Sequence, residues 1–480
     1  MLKRKLSPYF HANFHLFTIL LLVVGVVCSK FLMSLGLLFG GIGFLLERDF
    51  KSYWQQLKSN RLFWFLVAFY LLHFLGLIWS KNLDYGLNDI RVKFSLFAIA
   101  LIVCTRPPFT KVQLTIFYQI FVLSLFLTSL VNFVAYQFFQ DKIQYIDIRD
   151  LSLFGSHIRF GILITLGVLT NYFLWNFQPK LRWFWMLSSL WFIFYTYFSQ
   201  VLSGVMSIAV VVFLLLLWEL YKRRKWSVIV GSLLLLVAFN IGLIAYLGKP
   251  INQKSPSQEN YVSLKQEWNK RAKIPYDSLD IRKQGLKFTL ERYLISKNLP
   301  VRGDGVAKLS TSDIQNIEKG YADINETKSG LMARLYGLRF QIHHSQKPSG
   351  HSLLERLEYW KTALVIIKEN PIIGVGTGDV NDQFLSKYDE LKSPLTEERR
   401  LRAHNSYLTE TVTFGILGLV FFISWLLYFL YQQFKFQQLF GVVFMIVAIA
   451  TFLIEDTLET QMGVTFFALF YAVFSRRIEN

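Results

Sequence analysis

The sequence predicts an all-α, polytopic integral membrane protein with a helical loop domain, and three observations carry that prediction. Hydrophobic residues make up 53% of the 480-residue chain and aromatic residues 17%. Mean hydropathy is positive, at +0.37. Apolar runs long enough to span a bilayer recur on both sides of one long polar segment.

A hydropathy window of roughly 20 residues places about twelve spans. They fall near 15–29, 31–46, 61–80, 93–105, 112–139, 157–176, 183–199, 200–220, 226–248, 407–432, 438–454 and 460–475. Residues 1–248 then form an N-terminal membrane bundle, 249–406 a large outer loop and 407–480 a closing set of membrane helices. Lys3, Arg4 and Lys5 precede the first run, as in a signal peptide. No small-residue cleavage site follows and a second apolar run begins at once, which predicts a retained anchor.

Orientation follows from Lys and Arg in the short loops. With the N-terminus cytoplasmic, the inner loops carry Arg48, Lys51, Lys58, Arg106, Lys111, Lys180, Arg182, Lys222–Lys225 and Lys435, and the tail Arg476 and Arg477. The outer turns carry Asp84, Asp89, Asp141, Asp147, Asp150, Glu455, Asp456 and Glu459. Both termini face the cytoplasm and 249–406 faces outward. The net charge of +19 then reads as positive-inside loops against anionic lipid, not as nucleic-acid binding. Cys28 and Cys104 fall near opposite membrane faces, too far apart for a disulfide. No cysteine–histidine pattern suggests a metal, and no cofactor motif is present.

The polar segment shows helical patterns at 258–273, 279–299, 311–324, 330–345 and 353–369, broken by Pro275, Pro300, Gly303, Gly305, Pro348 and Gly350. Ile281, Leu286, Leu290 and Leu294 recur at helical spacing within it, so a small helical cap is expected. No internal repeat is evident, against an inverted-repeat transporter.

Its last part, 354–418, concentrates the residues suited to chemistry. Arg356, Trp360, Ala363, Leu364 and Ile367 share one helical face. That face either lies on the bilayer surface or turns Arg356 inward to hold an anion. Pro371 stops the helix. Gly374 and Gly376 follow in a turn that either approaches a phosphate closely or is simply a turn, and no Lys-Ser/Thr pair follows as in a nucleotide loop. His404 and Asn405 stand where the chain re-enters the membrane, beside Arg402 and ahead of Glu410. A histidine there is either structural or solvated, or it accepts a hydroxyl proton with Glu410 or Glu455 to orient it. Arg159, at the start of a span, either snorkels or binds an anion bidentately. His73, inside a span, reads as a buried hydrogen-bonded residue. His343, His344 and His351 match no metal spacing. Few charges fall elsewhere in mid-span, against a proton-coupled pump.

These stretches resemble the O-antigen ligase family of bacterial polysaccharide assembly. His404-Asn405, nine intervening residues and Gly415 match the family's H-[NSQ]-x9-G pattern. Residues 356–378 are similar to its Arg-x-x-x-Trp helix and Pro-x-x-Gly-x-Gly turn, and Arg159 with Leu163 to its Arg-x3-Leu motif. The turn 199–204 departs from it, with Gln200 where relatives often carry arginine. The acidic residue expected before the last span corresponds to Glu455 or Asp456. The resemblance implies a metal-independent, inverting glycosyltransferase of the bacterial inner membrane, working at the periplasmic face. The donor would be a glycan on undecaprenyl diphosphate and the acceptor a lipid A-core hydroxyl. Arg159 and Arg356 would hold the diphosphate, and His404 would act as general base. An O-antigen polymerase and a protein O-oligosaccharyltransferase would share the donor. A lipid-linked glycan flippase is the non-enzymatic alternative.

Overall fold

The computed structural model describes residues 8–143, 145, 148–249, 258–282, 284–324, 330–344, 348 and 352–476. Lys3, Arg4, Lys5, Asp147, Gly350, His351 and Arg477 lie outside these, as does the His344 side chain. Among the described residues every regular element is a helix, with one isolated antiparallel bridge between Leu279 and Gly285. Each span expected from hydropathy coincides with a helix. Among the described residues seven helices are long and apolar enough to cross a membrane, and Ala12–Cys28, Leu439–Phe452 and Gln461–Val473 are shorter apolar ones.

The chain divides into two compact units, one of residues 1–138, 152–215 and 356–480, the other of 139–151 and 216–355. In the first, polar residues buried on the helices find partners on other helices, as a low-dielectric interior demands. Trp425 Nε1 donates to Tyr471 Oη (2.7 Å), which donates to the Leu62 carbonyl (3.0 Å). Asn132 Nδ2 donates to Tyr195 Oη (3.1 Å). At one end Arg106 pairs with Glu47, and Arg476 donates to the Gln56 and Arg106 carbonyls (both 2.8 Å).

Two breaks in helices shape this unit. The Ser406–Lys435 helix is interrupted at Gly415, whose φ of 65° and ψ of −161° belong to a region open essentially to glycine alone. The turn after Pro371 fills the gap. Val375 and Gly376 N–H donate to the Val412 and Thr413 carbonyls (2.9 Å each), and Ile416 N–H to the Pro371 carbonyl (2.9 Å). Backbone groups freed by the break are thus satisfied inside an apolar region. The second break separates Arg61–Gly76 from Leu83–Cys104. There Thr377 Oγ1 donates to the His73 carbonyl (2.8 Å), and Gly378 N–H to Ser80 Oγ (2.9 Å). Asp379 Oδ1 accepts from Lys81 and Asn82 N–H (2.8 Å each).

Several expectations need correction. The span expected at 93–105 is the second half of Leu83–Cys104, a helix that begins among charges. Asp84 and Asp89 therefore sit within a helix, not in an outer turn. In Ser352–Glu369 the buried face is Tyr359, Thr362, Ala363 and Ile366, while Leu364 points outward at 50% exposure.

In the second unit, Leu264, Trp268, Leu286, Leu290, Leu294, Val306 and Ile317 form a core of their own. Its central helix is Leu286–Ser296, shorter than the expected 279–299. Asp280 accepts from Gln284 N–H (2.9 Å) and Thr289 Oγ1 (2.5 Å), closing a loop before the helix and leaving Ile281 exposed.

Gly415→Ala would combine a glycine-only conformation with a clash of its Cβ against the Ile372 backbone. We expect a stability loss of at least about 1–3 kcal/mol, seen as a lower midpoint in detergent thermal unfolding. An unchanged midpoint would mean the break is not strained.

Candidate functional site

The sequence 402–405 enters the Ser406–Lys435 helix through an asparagine cap. Asn405 Oδ1 accepts from Leu408 N–H (3.2 Å). One residue earlier, His404 adopts a left-handed φ of 47°, a conformation costing about 1–2 kcal/mol for a residue with a side chain. Asp456, in the turn before the last helix, offsets that cost. Its carboxylate accepts from His404 N–H (2.8 Å), Asn405 N–H (3.1 Å) and Thr409 Oγ1 (2.7 Å). Hydrogen bonds to a charged acceptor contribute about 1.5–3 kcal/mol each. Ser406 Oγ donates to the Glu455 carbonyl (2.9 Å), binding the same two segments again.

Aromatic residues hold the segment leading to His404. Trp360 Nε1 donates to the Ala403 carbonyl (3.1 Å), Tyr359 Oη to Arg399 (2.9 Å) and Tyr388 Oη to Leu401 (2.6 Å). The Tyr359 and His404 rings lie 5.6 Å apart between centroids, tilted by 35°. The ring of His404 keeps its Nδ1 buried with no hydrogen-bond partner among the described residues. Among the described residues neither Glu410 nor Glu455 hydrogen-bonds that ring; Asp456 orients the residue through its backbone.

Glu455 brings the remaining residues together. Its Oε1 lies 3.6 Å from Arg356 Nη2. Burial pushes the Glu455 carboxyl above its ordinary value, and the pull of His404, Arg356 and Arg159 opposes that rise only in part. His404, both arginines and Glu455 thus share one electrostatic neighbourhood. The Arg159 Nε is buried with no hydrogen-bond partner among the described residues, beside a water-sized cavity that Thr457 also lines.

Other residues fall elsewhere. Arg402 points to Glu459 (Nη2–Oε2, 2.8 Å). Burial alone would raise the Glu459 carboxyl, but Arg402 and then Lys93 outweigh it and hold the group well below the usual carboxylate range. Gly374 (φ 67°) and Gly376 (φ 88°) make a packing turn. A Cβ on Gly374 would strike the Thr413 backbone, one on Gly376 would strike Ser80, and the Val375, Gly376, Thr377 and Gly378 amides all serve the chain itself. Glu410 is 2% exposed, with Oε2 lacking a partner among the described residues. His73 is buried, with Nδ1 2.9 Å from the Phe69 carbonyl. His343 Nε2 lies 2.8 Å from the Leu247 carbonyl. No cluster of metal-ligating side chains occurs among the described residues. Sequence reading missed Tyr359, Tyr388 and Lys93. For Lys93 a signal existed, since a lysine inside an apolar helix is costly enough to question.

A family model described as O-Antigen ligase matches residues 187–423. Over that segment the chain is similar to the O-antigen ligase family. The match includes Arg356, the glycine turn, His404 and Gly415, while Arg159 and the acidic turn 455–459 lie outside it. O-antigen ligase family members are glycosyltransferase-like enzymes, and the apolar helices of this chain are those of a multi-pass membrane protein. No curated protein matches the chain.

Because Glu459 titrates below its ordinary 4.5, its stabilisation is complete above about pH 4.5 and is lost as the pH falls through the folded value. Glu459→Gln should therefore lower thermal stability at neutral pH, with the gap from wild type closing on acidification. A gap constant from about pH 7 to pH 3 would contradict this.

Proposed function

We propose that the protein is an inverting O-antigen ligase of the inner membrane, transferring a glycan from undecaprenyl diphosphate to a lipid A-core hydroxyl at the periplasmic face. The observation that carries this reading is the grouping of His404, held by Asp456 with a free ring nitrogen, with Arg356, Arg159 and Glu455. A base beside two guanidinium groups fits attack on a sugar whose leaving group is a diphosphate.

The roles follow from the chemistry. His404 takes the proton of the acceptor hydroxyl as its oxygen bonds to the anomeric carbon. The bond from that carbon to the diphosphate breaks on the opposite side, so configuration inverts. Arg159 and Arg356 receive the charge that develops on the leaving oxygen, each as a planar fork suited to phosphate. Two fixed cations perform the neutralisation that a divalent metal performs in other phosphate chemistry. Glu455 steadies Arg356 and favours the imidazolium formed on His404. Asn405, Trp360, Gly374, Gly376, Asp456 and Arg402 position these groups. The donor's apolar tail finds a groove of about 380 Å³ lined by Leu72, Trp79, Ile373, Phe414 and Phe421, beside the Gly415 break.

Cells lacking the protein should accumulate long glycans on undecaprenyl diphosphate and display bare lipid A-core. A single repeat unit on the core would instead mean a polymerase, and loss of glycan from periplasmic proteins alone a protein transferase. Transport of the lipid-linked glycan without any glycan transfer would mean a flippase. In purified protein, His404→Ala should lower kcat by about 10²–10⁴-fold with donor KM little changed. Arg159→Ala and Arg356→Ala should lower kcat/KM for the lipid donor. Full transfer by His404→Ala at normal abundance would refute the base assignment.

A further inference from the structure

Lys93 stands midway along Leu83–Cys104, 1% exposed, and belongs to none of the motifs above. Its ammonium lies 2.7 Å from Asp89 Oδ1 and 2.9 Å from Glu459 Oε1. The other Glu459 oxygen lies 2.8 Å from Arg402 Nη2. Four charges thus form an unbroken chain, Asp89–Lys93–Glu459–Arg402, buried at its centre and part-buried at its two ends. Glu410, buried and with one oxygen unpartnered among the described residues, is subject to the same ammonium.

Both ends of the chain matter. Arg402 is two residues from His404, and Glu459 is three from Asp456, the carboxylate that holds the His404 amide. Buried ion pairs are a poor source of stability, since desolvation consumes most of the Coulomb gain. What such a chain supplies and an apolar contact does not is direction, because each charged atom has one place where it is satisfied. Asp456 holds the loop by its backbone from one side. The charge chain holds the Arg402 end from the side of Leu83–Cys104.

We propose, resting on the glycosyl-transfer reading above, that Lys93 is a positioning residue for His404. It fixes Glu459, Glu459 fixes Arg402, and the 402–405 loop keeps the imidazole where the acceptor hydroxyl arrives. Without Lys93 the loop moves and transfer slows, while donor binding at Arg159 and Arg356 persists.

The test is the charge-balanced double variant Asp89→Asn/Lys93→Met of the full chain in lipid nanodiscs, which leaves the Glu459–Arg402 pair in place. Backbone hydrogen exchange and glycan transfer are measured together. Exchange of the 402–406 amides should quicken about tenfold or more, with that of Leu439–Phe452 unchanged. The kcat for transfer should fall about 10- to 100-fold, with donor KM within about twofold, and Lys93→Arg should recover most of both. Unchanged exchange at 402–406 overturns the proposal whatever the transfer result. Faster exchange with wild-type kcat also overturns it. Absence of transfer by the wild type would refute the glycosyl-transfer reading itself, and the exchange arm would still decide whether Lys93 holds the loop. Should the double variant loosen throughout, Arg402→Lys carries the test. It keeps the charge and loses the guanidinium geometry, and a wild-type kcat for it overturns the proposal.

Discussion

The candidate site depends on the Asp456 carboxylate more than on any other group. Two consecutive amides and one hydroxyl converge on it, and they come from the segment where the chain passes from polar loop to apolar helix. A helix start leaves amides without partners. Here a carboxylate from a turn far along the chain satisfies amides just ahead of that start. The left-handed backbone of His404 persists because the surrounding bonds over-determine it. A strained residue held this way keeps its ring in one place without using the ring's own nitrogens, so Nδ1 stays available.

The broken helix at Gly415 serves the same end from below. Pairing of the Pro371 turn with the gap locks the end of Ser352–Glu369, and with it Arg356 and Trp360, to the helix that begins at Ser406. Thr377, Gly378 and Asp379 then bind the second break, after Gly76. Glycines are needed where backbone meets backbone; a Cβ at Gly374 or Gly415 has no room. The glycine pattern is therefore a matter of packing, its amides bonding within the chain.

Charge is distributed with similar economy. Glu455 lies among His404, Arg356 and Arg159, whereas Glu459 lies between Arg402 and Lys93. One short turn thus sends neighbouring carboxylates to different cations. The acidic turn that topology alone would explain is a junction of the loop, the last helix and Leu83–Cys104.

Membrane helices, their approximate limits and the interruption near residue 400 were legible in the sequence, because twenty apolar residues in a row have few alternatives to a buried helix. His404, Arg159 and Arg356 stood out in the sequence as candidates, since they are polar groups at the edges of such helices. The partners were not. Asp456 reaches His404 across fifty-two positions of sequence and Lys93 reaches Glu459 across 366, and nothing local in either residue announces the other. The buried face of Ser352–Glu369 also went to Tyr359, Thr362 and Ile366 in place of Leu364, because neighbouring segments, not periodicity, choose between adjacent stripes of a mostly apolar helix. The pattern of apolar runs by itself determined that this chain is helical and where its long polar segment lies. Only the tertiary structure decided which carboxylate holds which cation, because pairing depends on distance through space, and an apolar interior makes the wrong pairing costly.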